Sequence, residues 1–197
     1  MILKKQFVKA FLSSFLLILV FTSCASNKIS TEKKINPVYV TNSNKVYLLP
    51  AEEMDGSEDC LQLLNGVFGE TSFTLMIYFQ ADQKGIFMSL LNDFGTDMGT
   101  LSYDGEEVVF DSAVFPKNLK AEYILLDIQN AYYKSEALQK LYESSGLAFE
   151  EENLSENKIR RIKSGKKIVE EITINDNSIK IENYLRGYEY NLTRGEE

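Results

Sequence analysis

The chain has 197 residues, with 29 acidic against 21 basic side chains, and contains neither histidine nor tryptophan. The missing histidine excludes imidazole-based triads, imidazole general bases and histidine-ligated metal centres. The acidic balance excludes a surface that would offset nucleic-acid phosphates, so no nucleic-acid partner is expected.

Residues 1–23 combine Lys4, Lys5 and Lys9 with the uncharged run Phe11–Phe21 and end on the small residues Thr22 and Ser23. That is the layout of an export signal. Its apolar run is shorter than the roughly 20 residues of a spanning helix. Cys24 follows at once, and the segment resembles a bacterial lipoprotein signal, apart from Phe21 where leucine is usual. The resemblance implies that Cys24 becomes the first mature residue and carries acyl groups such as palmitate. It places the chain in the bacterial cell envelope, held on a membrane by its N-terminal lipid. Ala25 after the cysteine favours the outer membrane. Two alternatives stand: an ordinary signal peptide cut near Ser23 or Ser26, and a Cys24–Cys60 disulfide, which export permits. Removing residues 1–23 removes three lysines and no acid, leaving 18 basic against 29 acidic side chains, a net charge of −11. Cys60, in "DCLQLL", reads as a small buried hydrophobe.

Residues 24–37 are polar and read as a flexible tether. One domain is expected over 38–197. In "SFTLMIYFQ", Phe73, Leu75, Ile77 and Phe79 alternate onto one face of a strand. "GIFMSLLN" does the same with Ile86, Met88 and Leu90, after a turn at Asp82–Gly85. "GTLSY" and "EVVFDS" form a hairpin about Asp104-Gly105. The period then changes to that of a helix over Leu119–Tyr133, with Pro116 and Asn118 as a start signal. A second helix is expected over Ser135–Ser144, stopped by Gly146. Strands resume in "KIRRIK" and "KKIVEEITI" about Ser164-Gly165, and in "SIKIENYL" and "GYEYNLT" about Arg186-Gly187. Tyr188, Tyr190 and Leu192 share a face.

This order predicts a mainly β, α+β domain: one curved antiparallel sheet with two short helices on its concave side. Two short helices leave part of such a face uncovered, so the sheet either closes as a barrel or keeps a cavity. A packed core accounts for the same alternation. "DFG" at Asp93, "SGKK" at Ser164 and the sequons at Asn153 and Asn191 lack the companions that would make them functional motifs.

"VYLLPAEE", the run from "LLNDFGTDMGTLSYDGEEVVF" through "LLDIQNAYYKSEAL", and "YLRGYEYNL" resemble a family of bacterial lipoproteins classed as a domain of unknown function, often encoded near aryl-polyene biosynthesis genes. Tyr132-Tyr133-Lys134 departs from it, where tryptophan and proline are expected. That family is in turn similar to the LolA/LolB lipoprotein carriers. The resemblance implies an open half-barrel with the helices as a lid over an apolar cavity that takes acyl chains or lipoproteins. Phe73, Leu75, Ile77, Phe79, Ile86, Met88 and Leu90 would then line the sheet side, and Ile124, Leu125 and Ile128 the lid. A monomer is expected, with no catalytic residue, metal or cofactor.

Two other functions fit the residues. One is a non-enzymatic envelope or surface lipoprotein with a packed core that binds protein partners. The other is a carboxylate enzyme drawing on Glu106, Glu107, Asp111 or Asp127, among which no pair stands out in sequence. The basic hairpin of Lys158, Arg160, Arg161, Lys163, Lys166 and Lys167 reads either as a phosphate or partner contact or as a solvated turn.

Overall fold

A computed structural model describes residues 36–115 and 120–195. The signal segment, Cys24, most of the tether, and Pro116 and Asn118 lie outside the described residues. Lys33–Glu197 forms a compact unit of its own, and its core residues run from Val38 to Leu192.

The strands are β1 (Val38–Tyr39), β2 (Lys45–Val46), β3 (Glu58–Phe68), β4 (Thr71–Asp82), β5 (Gly85–Leu91), β6 (Asp97–Tyr103) and β7 (Val108–Asp111). Helices α1 (Ala121–Tyr132) and α2 (Ser135–Ser144) follow. Then come β8 (Ala148–Asn153), β9 (Lys158–Ser164), β10 (Lys167–Ile174), β11 (Ser178–Asn183) and β12 (Tyr188–Arg194). β1 and β2 pair with each other. The other ten strands make one antiparallel sheet in the order β7-β6-β5-β4-β3-β12-β11-β10-β9-β8.

The sheet is thus two meanders joined through β3 and β12, curved and not closed. Its edges, β7 and β8, are consecutive strands in the chain. The connection between them therefore has to cross from one edge to the other, and it does so as α1 and α2. That route puts the helices over the concave face, where the alternating side chains Leu75, Ile77, Phe79, Ile86, Met88, Leu90, Leu101, Ile172, Ile181 and Leu192 are buried.

The strands, turns and helices read from periodicity are present, with α1 starting at Ala121 and α2 stopping at Gly146, whose φ is 74°. β1, β2, β3 and β8 were not expected. β3 inverts the usual polarity: Leu61 is 46 % exposed, while Gln62, pointing inward, is 3 % exposed. Gln62 is tolerated inside because its amide donates to the Tyr132 hydroxyl at 3.0 Å.

The segment before β3 acts as a strap. Leu49 N–H donates to Gln129 Oε1, and Gln129 Nε2 donates back to the Leu49 carbonyl, both at 2.9 Å. Tyr103 donates its hydroxyl to that carbonyl at 2.8 Å. Asp55 N–H reaches the Tyr132 carbonyl, and Lys134 N–H reaches that of Glu53. The strap fills one end of the concave face and pins the C-terminal end of α1.

Candidate functional site

At the other end the concave face is not filled. A cavity of about 260 Å³ lies between α1 and the sheet, slightly smaller than the roughly 300–1,000 Å³ of small-molecule pockets. The floor comes from alternate residues of neighbouring strands: Leu64 of β3; Phe73, Leu75 and Ile77 of β4; Met88 and Leu90 of β5; Leu101 of β6; Ile181 of β11; Tyr190 and Leu192 of β12. Ile124, Asp127 and Ile128 of α1 form the roof, at the spacing of one helix face. Phe110 and Phe115 close one side, and Phe68, 57 % exposed, stands at the rim. Among the described residues, Asp127 is the only Asp, Glu, Lys or Arg in this wall. A larger depression of about 660 Å³, lined by Glu58, Asp59, Asp82, Lys84, Asp104 and Glu107, is open and polar and offers no comparable apolar enclosure.

Seven of the ten residues expected to face a ligand line the cavity: Phe73, Leu75, Ile77, Met88, Leu90, Ile124 and Ile128. Phe79, Ile86 and Leu125 do not. Phe79 packs on the Tyr132 ring at 5.0 Å, and Ile86 lies a row further toward the strap, paired with Ala81 and Tyr103. Leu125 is fully buried one turn from Gln129, on the side of α1 that meets the strap. Strand parity assigns a face but not a position along it, and helical periodicity does not separate two buried faces.

Gly66 of β3 shapes the floor. It lies opposite Phe73, and a Cβ at Gly66 would sit 2.2 Å from the tip of the Phe73 ring. The ring lies over bare backbone, as a strand glycine permits.

Behind the roof lies a buried polar cluster. Paired residues of four adjacent strands, Phe68–Tyr188–Asn183–Glu170, run in one row across the sheet. A β-bulge at Ile168–Glu170 turns both Val169 and Glu170 inward. Asp127 comes down onto this row from α1. The Tyr188 hydroxyl donates to its carboxyl, at 2.9 and 2.8 Å from the two oxygens. Glu170 accepts from Asn130 Nδ2 at 2.8 Å and from Asn183 Nδ2 at 2.9 Å. Tyr142 of α2 donates to Asn130 Oδ1 at 2.6 Å. Burial, then the neighbouring Glu170, pushes the Asp127 carboxyl well above the usual carboxylate range. Burial also raises Glu170, against the amide donors that favour its charged form. The sequence offered no way to pair these two. Only the break in alternation at "IVEEIT" marked Glu170 as unusual.

Three of the six cations of the basic hairpin are paired within the sheet. Arg160 points inward, 1 % exposed, and donates to the Asn130 and Ala131 carbonyls at 2.9 Å each and to Glu151 at 2.9 Å. Arg161 pairs with Glu152 and Glu171, and Lys163 with Glu150. Cys60 carries a free thiol and is half-buried rather than enclosed, because it lies near one end of β3 beside Glu58. Burial raises its pKa. Among the described residues, no group of three His, Cys, Asp or Glu side chains gathers as a metal site requires, and no helix is long and apolar enough to cross a membrane.

The architecture is that of an open antiparallel sheet roofed by a helical crossover, with an apolar cavity beneath the roof. The family described as Protein of unknown function (DUF3261) matches residues 59–194, and the chain belongs to it. The match runs from β3 to β12, so it takes in the whole ten-stranded sheet and both helices. No curated protein matches the chain.

Proposed function

We propose that this protein holds an acyl chain in the cavity beneath α1, fastened to the envelope membrane by a lipid on Cys24, and that it handles lipid or lipoprotein without enzymatic chemistry. The observation that carries this reading is the enclosed space itself, whose wall is apolar but for Asp127 and the tyrosine hydroxyl. The strand–helix–strand order also resembles that of the LolA/LolB lipoprotein carriers. At roughly 30 Å³ per water-sized group, the volume accommodates about nine chain carbons. Each buried methylene contributes roughly 0.8 kcal/mol, so about 7 kcal/mol favours entry before ordering costs. That is enough to hold a chain and weak enough to release it. The remainder of a longer chain would lie at the Phe68 rim.

Native mass spectrometry of residues 25–197, purified without detergent, tests this. Bound phospholipid or acyl species, lost in folded Ile124→Trp protein, are expected. A mass that stays ligand-free with added lipid would sink the proposal and favour a partner-binding lipoprotein.

A further inference from the structure

Asp127 and Glu170 belong to different layers, one to the roof and one to the sheet. Both are at least 95 % buried. Glu170 spends both oxygens accepting N–H groups from Asn130 and Asn183, which suits a carboxylate and leaves it nothing to donate. Asp127 accepts from Tyr188, whose hydroxyl lies 3.3 Å from the same Asn183 amide that donates to Glu170, so the two carboxyls belong to one buried cluster and Asp127 is the member left free to hold a proton. Two carboxyls in one buried cluster, whose hydrogen-bond partners among the described residues are amides and a tyrosine and include no cation, do not both ionise at neutral pH.

We infer that Asp127 and Glu170 share one proton as a latch between roof and sheet, and that losing this proton loosens α1 and opens the cavity. This inference rests on the acyl-cavity reading for its consequence, not for its geometry. When the proton passes to a base in solvent, two carboxylates are left within one buried cluster and repel. The two ends of α1 are anchored by different groups. Its C-terminal end is held by the strap and by Arg160. Its N-terminal end is buried at Ala121, Leu125 and Leu126, and at the surface the Tyr123 hydroxyl accepts from Tyr39 N–H at 3.3 Å while the Arg186 guanidinium lies 4.5 Å from the Tyr123 ring. Repulsion at Asp127 pushes α1 away from the polar row, and Ile124 and Ile128 of the cavity roof move with it.

The other groups facing the pair do not remove the effect. Arg186, on the β11–β12 turn, is the cation that opposes it, and both carboxyls stay raised in its presence. Tyr188 and Tyr190 of β12 and Tyr142 of α2 are held above the usual tyrosine range, chiefly by burial, so they stay neutral as the pair titrates. Asn130 and Asn183 do not titrate. Because the folded protein raises these carboxyls, the closed state is fully favoured below the ordinary carboxylate range and loses that support as pH rises through the pair's own pKa.

The test is amide hydrogen exchange on the Lys33–Glu197 unit at about pH 5 and about pH 9, corrected for intrinsic exchange, with binding of the uncharged fluorophore N-phenyl-1-naphthylamine measured alongside. Exchange in Ala121–Tyr132 is expected to accelerate about tenfold at the higher pH, with β3 and β4 unchanged. Asp127→Asn places a permanent N–H where the shared proton lies, so α1 should exchange slowly at both pH values. A wild-type α1 that does not respond to pH overturns the latch without any variant. An acceleration that persists in Asp127→Asn overturns it too. Exchange that switches while the fluorophore binds at neither pH supports the latch and overturns the acyl-cavity reading alone.

Discussion

Arg160 shows how one side chain can close a helix from another element. The last carbonyls of α1 have no partner within the helix. No basic residue lies in its last turn. The Arg160 guanidinium, arriving from β9, supplies both the hydrogen bonds and the positive charge that this end favours. It also holds Glu151, where the Ser135 hydroxyl and Arg160 outweigh burial and depress the carboxyl. A depressed carboxyl adds stability above its unfolded pKa and loses it as pH falls through the folded one. Arg160→Met should cost about 3–5 kcal/mol in chemical denaturation at neutral pH, since Glu151 is left half-buried and unpaired. It should also flatten the acid limb of the stability curve. Gly66 is the second decisive residue. Gly66→Ala should push the Phe73 ring into the cavity, with about 1–3 kcal/mol of overpacking. Its signature is weaker fluorophore binding together with a lowered Tm.

At the scale of elements, α1 presents three faces to three surroundings. Ile124 and Ile128 face the cavity, Leu125 and Gln129 the strap, and Asp127 and Asn130 the polar row. Function and stability therefore separate along one helix. Ile124→Trp should fill the cavity, weakening fluorophore binding about tenfold or more, about 1.4 kcal/mol, at unchanged Tm. Leu125→Ala should do the reverse, costing about 2–5 kcal/mol of stability while binding in the remaining folded protein stays close to wild type. Paired titration and thermal melts on both variants check this; equal effects in the two would contradict the separation. The edge strands are protected by different means. β7 has only four residues, and β8 carries Glu150, Glu151 and Glu152. Short length and charge both oppose edge-to-edge pairing.

At the scale of the whole molecule, the helical crossover links the two edges of one sheet, so the roof depends on both meanders. The convex side exposes Leu61, Leu63 and Val67 of β3, and the cavity lies on the opposite side. The proposed anchor precedes all of this in the chain. Cys24→Ser, expressed in a bacterium that lipidates exported cysteines, should lose palmitate labelling and leave the membrane fraction. Retention of both would remove the lipoprotein reading and leave the cavity untouched.

Most of the sheet was legible because strand alternation and turn chemistry are local. "SFTLMIYFQ", Asp104-Gly105 and the helical period after Leu119 each report on a few neighbouring residues. So was part of the cavity wall, since seven of its sixteen residues follow from which face of a strand or helix they occupy. β3 was hidden because its exposed leucines and buried Gln62 reverse the polarity on which that inference depends. The Asp127–Glu170 pair was hidden for a different reason. The two residues are 43 positions apart, and they meet only because β10 bulges, β11 and β12 set the row, and the crossover lowers α1 onto it. Sequence by itself determined most of the elements, their faces and the missing imidazole chemistry, which depend on residue type and short spacing. Tertiary structure alone decided where the concave face is filled, where it is left open and which carboxyls share a buried cluster, because long-range packing sets those distances.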